Sequence, residues 1–481
     1  MDSNNRFQQN WKPIALTFAG IIAAIGIATS IVVTHNQTES AAKPPKPVLG
    51  DYVAFAWNTI GMKCVSDNDK YFAMHTPGND LWVQVVKRGD PPAIVTDGIQ
   101  VEYRAPENHN DPSKTINFWD YAKFTMHKEI PKNVGKSGNA SDTGILKLNG
   151  EKKAFTALGI PISPYTDDGQ IEPYVMYDVS VKGTDGTELI RTKAGLPSSA
   201  EVSCYKCHSG GEAEDGIGLS DKTARNILMA HDKNQGTNLL AEAEAGRPQN
   251  CLDCHSAANV NAKGKEGVLS MSAAMHGKHA QFMSGNTEQT CASCHPTSKT
   301  GQVRCERSVH TSFGMDCQSC HGTLEEHAVS LLTAQKELPA AQRLLKWLEE
   351  RLPENTKVVG RTPWAQEPDC LSCHTNYGKT DLNADSYGHW TAGMQANYRF
   401  TADASGMMCA SCHGSPHLQY PTNTLFGYDL NIQPVQYQGL AAPIGANGNC
   451  TVCHLTEPKD KNYHHPNMGQ AFIAPPSVPT E

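Results

Sequence analysis

Fourteen of the sixteen cysteines stand in one repeated pattern, Cys-x-x-Cys-His, whose residue types can hold a metal-centred macrocycle through two thioethers and an imidazole. The seven copies are Cys204-Tyr-Lys-Cys207-His208, Cys251-Leu-Asp-Cys254-His255, Cys291-Ala-Ser-Cys294-His295, Cys317-Gln-Ser-Cys320-His321, Cys370-Leu-Ser-Cys373-His374, Cys409-Ala-Ser-Cys412-His413 and Cys450-Thr-Val-Cys453-His454. Composition alone would yield about 0.02 copies in a chain of this length. The order is chemically required, because both sulfurs add to haem vinyl groups while the next residue brings its imidazole under the iron. Zinc sites would not need a histidine after every second cysteine. A thioredoxin-like motif would occur once, at a helix start, and disulfides within each pair would leave seven histidines unexplained. The pattern predicts seven covalently attached haem c groups, with His208, His255, His295, His321, His374, His413 and His454 as proximal ligands.

Thirteen other histidines remain, and nine of them follow the first motif. His231, His276, His279, His310, His327, His389, His417, His464 and His465 are the candidates for the sixth coordination positions. His35, His75, His109 and His127 precede the motifs. Sequence does not match distal candidates to individual irons. His276 and His279 are three residues apart, so a helix would put both on one face, serving two haems or one haem and its surroundings. Met275 and Met468 are alternative axial ligands, with packing the simpler role for each. Two imidazoles saturate an iron and favour electron transfer, whereas an enzyme needs an open position. No motif ends in Lys, which favours an electron-transfer protein over a catalyst with its own substrate.

These groups must be positioned by little protein. Motif starts are separated by 47, 40, 26, 53, 39 and 41 residues, so neighbouring macrocycles must lie close, most tightly at Cys291 and Cys317. The expected fold is a multihaem cytochrome c, mostly loops and short helices around a haem chain, preceded by a β-rich N-terminal domain and a hydrophobic anchor or signal helix. Residues 1–36 contain an uncharged apolar run, Ile14–Val33, long enough to span a bilayer. It reads as a retained anchor or a cleaved export signal, with Ser40-Ala41-Ala42 as a small-residue cleavage site. Residues 37–49 form a Pro/Lys-rich tether.

Residues 50–200 read as a β-rich accessory domain, on Trp82–Val86, Ile99–Tyr103 and Tyr174–Val181, with a hairpin turn at Thr184-Asp-Gly186. That domain would cover the first haems, bind a partner or aid assembly. Residues 201–330 form a four-haem region, 331–360 a helical spacer and 361–481 a three-haem region. The spacer carries an apolar face, Leu338, Ala341, Leu344, Leu345 and Leu348, in a helix over Thr333–Glu350 that Pro339 kinks or restarts. Asp167-Asp168-Gly169 is a surface turn or part of a Ca2+ site. Cys64 and Cys305, outside the motifs, form a disulfide or stay separate.

Composition excludes other classes. There are 49 acidic residues against 41 Lys plus Arg, a net charge of -8, so no basic footprint for nucleic acid exists. Only 7% of residues are aromatic, while Gly numbers 40 and Pro 29, so a single large apolar core is not expected. Haem propionates would add negative charge and favour basic patches on partners.

With these motifs in view, the chain resembles the multihaem c-type cytochromes of anaerobically respiring, metal-reducing bacteria. The segments Trp57-Asn-Thr-Ile-Gly-Met-Lys-Cys64, Asn117-Phe-Trp-Asp-Tyr121 and Gly159-Ile-Pro-Ile-Ser-Pro-Tyr165 resemble the non-haem leader of some of them. The resemblance covers residues 50–481. Such leaders commonly carry His where this chain has Lys63, so no ligand role transfers to that position. The resemblance implies an exported electron conduit in anaerobic respiration. Its implied partners are redox proteins or a quinol-linked membrane complex, with homo-oligomer or filament assembly and membrane contact through residues 14–33 if retained. The expected location is the bacterial periplasm, anchored to the inner membrane, or the cell surface or exterior after signal cleavage. The alternatives are a multihaem reductase of a small nitrogen or sulfur species acting through a five-coordinate haem, and a filament-forming haem subunit.

Overall fold

The computed structural model describes residues 47–200, 203–210, 219–257, 260–283, 288–297, 303–351, 370, 374, 398–403, 405–420 and 432–459. Strand Tyr52–Trp57 shows why the N-terminal half folds as it does. Its sequence, Tyr-Val-Ala-Phe-Ala-Trp, alternates large and small apolar residues, so the two faces differ in bulk while both are apolar. Ala54 and Ala56 lie in one core, and Val53, Phe55 and Trp57 lie in another on the opposite face. Strand Asn79–Lys87 repeats the device, with Leu81, Val83 and Val85 on the first side and Trp82 and Val86 on the second.

The first side is the interior of two sheets. One runs Tyr52–Trp57, Asn79–Lys87, Ala154–Ile160, Lys147–Asn149, with Ala93–Val95 also paired to Asn79–Lys87. The other runs Lys63–Cys64, Glu188–Ser199, Tyr174–Gly183, Ile99–Arg104, Thr143–Ile145. Its pairings are antiparallel except that Lys63–Cys64 runs parallel to Ser198 and Ser199. The three segments read as strands from sequence fall inside Asn79–Lys87, Ile99–Arg104 and Tyr174–Gly183, and the expected turn joins Tyr174–Gly183 to Glu188–Ser199. Val101, Tyr103, Val175, Tyr177, Val179, Val181 and Leu196 supply the second sheet's share of the core.

The second side is a wall for the C-terminal motifs. Met408, Ala410, Tyr437 and Val452 pack on Phe55, Trp57 and Trp82. The helix Gln433–Gln438 lies against the outer edge of Tyr52–Trp57 and satisfies its unpaired backbone. Ala54 N–H donates to the Tyr437 hydroxyl at 3.2 Å, which donates to Ala54 O at 2.7 Å. Gln433 does the same for Ala56, accepting at 3.1 Å and donating at 2.6 Å. Gln84, fully buried among these apolar groups, donates to Gly406 O at 2.9 Å and accepts from Met408 N–H at 2.9 Å and Ser411 Oγ at 2.7 Å.

Elsewhere the chain is short helices and turns. Two helices lie around the expected spacer: Leu324–Thr333 ends where the helix over Thr333–Glu350 was expected to begin, and Pro339–Glu349 starts at the proline, whose missing N–H costs nothing at a first turn. Thr323 and Glu326 cap the first reciprocally. Both pack on Met271–His279 through Ala273, Val329, Leu332, Ala341, Leu345 and Leu348. A Cβ at Gly277 would stand 3.0 Å from a Leu332 methyl, so glycine sets this close approach.

The expectation of a hydrophobic anchor or signal helix is corrected. Among the described residues no helix is long and apolar enough to cross a membrane. The longest of them, Asp221–Gln235, has 15 residues. At 1.5 Å per residue it reaches about 22 Å, short of the roughly 30 Å hydrocarbon layer. It also carries Asp221, Lys222, Arg225, Asp232 and Lys233. The run Ile14–Val33 lies outside the described residues. The fold is a β-rich N-terminal domain followed by short helices, and both the transmembrane helix and the anchored inner-membrane placement are withdrawn.

Gln84→Ala removes the bonds that join the leader sheet to the sixth motif and leaves Met408 N–H buried without its acceptor. Its expected cost is about 3 kcal/mol, read as a lower denaturant midpoint of the purified protein. An unchanged midpoint would show that the wall does not depend on this side chain.

Candidate haem-binding centre

Each motif is one turn of backbone. The His N–H donates to the carbonyl of the first Cys four residues back, at 2.9 Å for His208, 3.0 Å for His255, 2.8 Å for His295, 2.8 Å for His374 and 3.0 Å for His454. Cys317–His321 and Cys409–His413 are short α-helices of the same register. In the six motifs described throughout, the turn brings the two cysteines and the histidine onto one local surface, the arrangement that covalent haem attachment requires. The cysteine pairs give the chain the capacity to bind haem c and support a general electron-transfer role.

The second imidazoles arrive from elsewhere in the chain. Two imidazoles on opposite sides of one iron, with metal–nitrogen bonds of about 2.0 Å, hold their ring centres roughly 6 Å apart. The ring centres of His208 and His279 are 6.5 Å apart, those of His255 and His231 6.4 Å, those of His295 and His276 6.2 Å, and those of His374 and His310 6.3 Å. His321 faces His417 at 6.3 Å and His327 at 6.1 Å. Five motif histidines therefore each meet a non-motif histidine at the span the cofactor needs. His327 also packs edge-on against His276 at 4.4 Å, a direct ring contact too short to admit an iron.

On six of these rings the inner nitrogen is occupied, which aims the outer one. Nδ1 of His279 donates to Met275 O at 2.7 Å, that of His276 to Ser272 O at 2.8 Å, and that of His255 to Leu269 O at 2.7 Å. His231 Nδ1 meets Thr237 Oγ1 at 2.9 Å, His310 Nδ1 meets Ser308 Oγ at 3.1 Å and His417 Nδ1 meets Cys305 Sγ at 3.3 Å. His454 Nδ1 lies 3.4 Å from Asp90 Oδ1. Such bonds fix the tautomer and ring orientation that leave Nε2 for a metal. Burial first, then the facing imidazole, holds His208 and His231 below the ordinary value, while burial and then His417 lower His295. Neutral imidazole is the ligating form.

The pairs cross the expected regional boundaries. His310 precedes the spacer and meets His374 beyond it, while His417 returns from the C-terminal part to His321. His276 and His279, on one helix, meet different motif histidines. The sulfurs cluster as well. The Cys291 and Cys317 side chains hydrogen-bond, and this bond, then burial, pushes the Cys317 thiol up. Burial first, then Cys294, pushes Cys204 up to about 11. Burial and then Cys370 raise Cys409, and burial and then Cys453 raise Cys412. Cys204 and Cys251 pack on a common apolar cluster of Tyr71, Phe72, Leu219 and Leu228.

The leader supports this centre directly. Gly61 has φ 73, and a Cβ there would stand 3.0 Å from Pro416 O and 3.4 Å from His417 Nδ1, so the glycine admits the His417 loop. Arg88 donates to Val452 O at 3.1 Å and Thr451 O at 2.9 Å, fixing the seventh motif beside Asp90. Cys64 and Cys305 are separate thiols. Asp167 accepts from Asn110 N–H at 3.1 Å and Asp111 N–H at 2.9 Å, and Asp168 from Asn108 at 3.0 Å, so Asp167-Asp168-Gly169 is a turn. Among the described residues no group of three or more His, Cys, Asp or Glu side chains could hold a metal ion. His389, His464, His465, Met468 and Cys373 lie outside the described residues.

Two residues near the motifs escaped sequence reasoning. His75 was set aside because it precedes the first motif, yet its proton affinity responds to His295; burial first, then Lys63, pushes it down to about 3. Asp69 is fully buried with no hydrogen-bond donor at either carboxyl oxygen, and its charge raises Cys251. No periodicity marks either residue, since loop folding alone brings them to the motifs.

No protein-family model and no curated protein matches the chain. Among solved structures, the crystal structure of MtrC from Shewanella baltica OS185 aligns at 12% identity and TM-score 0.14, over 51% of this chain. The alignment spans 36% of that protein's length, and a likeness this slight carries no argument.

Burial, above all, pushes the Asp69 carboxyl up to about 8, and Asp67 adds to the rise. An acid raised in the folded state keeps its proton there after the unfolded chain has lost it, so stability falls as pH rises from about 4 to about 8. Asp69→Asn removes that slope and gains on the wild type by about 1.4 kcal/mol per pH unit across the window. Denaturation of both proteins at several pH values checks this, and parallel stability curves would contradict it.

Proposed function

We propose that the chain is a seven-haem c-type cytochrome that conducts electrons between redox partner proteins in anaerobic respiration. The observation that supports it is the set of five motif histidines, each facing a non-motif imidazole at 6.1–6.5 Å. The fourteen motif cysteines hold the macrocycles and the seven motif histidines are the proximal ligands. His279, His231, His276 and His310 complete the irons of His208, His255, His295 and His374. His417 completes that of His321, because His327 is spent in its 4.4 Å contact with His276. His389, His464 and His465 remain the candidates for His413 and His454.

Bound haem supplies a one-electron iron couple and a delocalised edge through which electrons enter and leave. The protein's residues hold the ligands rigid, so that gaining or losing an electron requires little movement. Met275 O, Ser272 O and Leu269 O accept Nδ1–H and keep three of these rings in place. The Cys294–Cys204, Cys291–Cys317, Cys370–Cys409 and Cys412–Cys453 neighbours, with the shared cluster under Cys204 and Cys251, trace a nearly continuous path. His417 and His310 bridge its two halves. Paired imidazoles leave no exchangeable position at these irons, which favours a conduit over the reductase reading.

Low-temperature EPR of the oxidised holoprotein, with haem counted in the same sample, tests this reading. Seven haems per chain, all low-spin, are expected. His231→Ala and His417→Ala are each expected to convert one haem to high spin, whereas His327→Ala leaves every iron low-spin. A stoichiometric high-spin haem in the wild type would overturn the conduit and support a reductase.

A further inference from the structure

A cavity of about 400 Å³ opens beside the second motif, lined by Lys63, His75, His127, Lys136, Asp253 and Lys263 among others. Its lining is unbalanced in charge. The sole carboxylate among its lining residues, Asp253, is engaged by His127 Nε2 at 3.0 Å. Three lysines then face the same space, with the uncharged His75 ring beside them. Lys136 and Lys263 are exposed at its mouth, whereas Lys63 is 6% exposed.

The Lys63 backbone is paired with Ser198 in the short parallel strand Lys63–Cys64, and its side chain is buried there. Among the described residues its amine makes no hydrogen bond and no ion pair. Asp80 favours its protonation from a distance, but Asp80 Oδ1 already accepts Gly159 N–H at 2.8 Å. Burial, the dominant influence, lowers the proton affinity of this amine. A buried, unpaired cation is costly unless an anion accompanies it. The volume lies in the range of small-ligand sites, large enough for a carboxylate or oxyanion with water.

We propose that this cavity is an anion site, in which Lys63 and His75 bind a carboxylate or small oxyanion and Lys136 and Lys263 draw it in. The same chemistry has two sources. One is a propionate of an attached haem, which rests on the haem reading above. The other is a free oxyanion of the size of nitrite or phosphate, which does not rest on it.

Holoprotein, its haem content counted in the same sample, is titrated calorimetrically with sodium nitrite and with sodium phosphate, and each haem potential is followed spectroelectrochemically. For a free anion, wild type binds one probe saturably, Lys63→Met weakens it at least tenfold and Lys63→Arg restores most of it. For a propionate, neither probe binds, while Lys63→Met lowers the potential of one haem and Lys63→Arg returns it. Unchanged potentials together with probe binding that is absent or equal in wild type and Lys63→Met would overturn the site. If Lys63→Met fails to fold, the double variant Lys136→Ala/Lys263→Ala decides instead. At least threefold weaker probe binding or a lowered haem potential supports the site, and neither change overturns it. Absence of haem in the wild type would sink the haem reading and the propionate source while leaving the free-anion test intact.

Discussion

One turn of backbone, closed by a histidine N–H on the carbonyl of the cysteine four residues earlier, is the constraint on which the rest of the molecule depends. The turn is local and cheap, needing only a few residues in helical conformation. It fixes three side chains and leaves one side of the imidazole bare. Much of the fold beyond the motifs brings a second imidazole near that bare side, with ring centres 6.1–6.5 Å apart at five motif histidines. Met271–His279 delivers two from one face, pressed into place by Gly277 on Leu332. The Ser308-capped turn Val309–Ser312 delivers His310, and a left-handed residue, His417 at φ 61, delivers itself through a loop that Gly61 accommodates.

The β-rich leader belongs to the same solution. Its two sheets enclose an ordinary apolar core, but the first sheet also has a second apolar face. That face receives Met408, Ala410 and Val452, residues beside or inside the sixth and seventh motifs. The leader thus meets motifs from both ends of the series, Tyr71 and Phe72 packing with Cys204 and Cys251 while the second face of the first sheet meets the sixth and seventh. Val53, Phe55, Trp57 and Trp82 offer large side chains on the one face where no second sheet lies. Gln84, Gln433 and Tyr437 then satisfy backbone groups that would otherwise be buried without partners.

Local features were the legible ones. The motif turns, the strands around Trp82, Val101 and Val179, and the restart at Pro339 all follow from periods and residue types within about ten residues. Pairings across the chain were not legible, because nothing in the neighbourhood of His310 names His374 and nothing near His321 prefers His417. His75 illustrates the limit most plainly. Chain order placed it outside the motif region, and loop folding through Phe72–Ala73, paired with Gln249–Asn250, returned it there. The spacer followed the same rule: its apolar stripe was visible, but its packing on Met271–His279 joins the regions that its position in the sequence appeared to part.

The two-faced strand also sets a timetable for synthesis. Tyr52–Trp57 leaves the ribosome 377 residues before Gln433, which covers its edge at Ala56. At roughly 5–20 residues per second, that interval lasts about 20–75 s. Throughout it, a strand edge and a row of Val53, Phe55 and Trp57 face solvent without their eventual cover, the condition under which chains pair with one another. The nascent chain thus carries its own aggregation hazard at its front, and the last motifs to emerge are the ones that remove it.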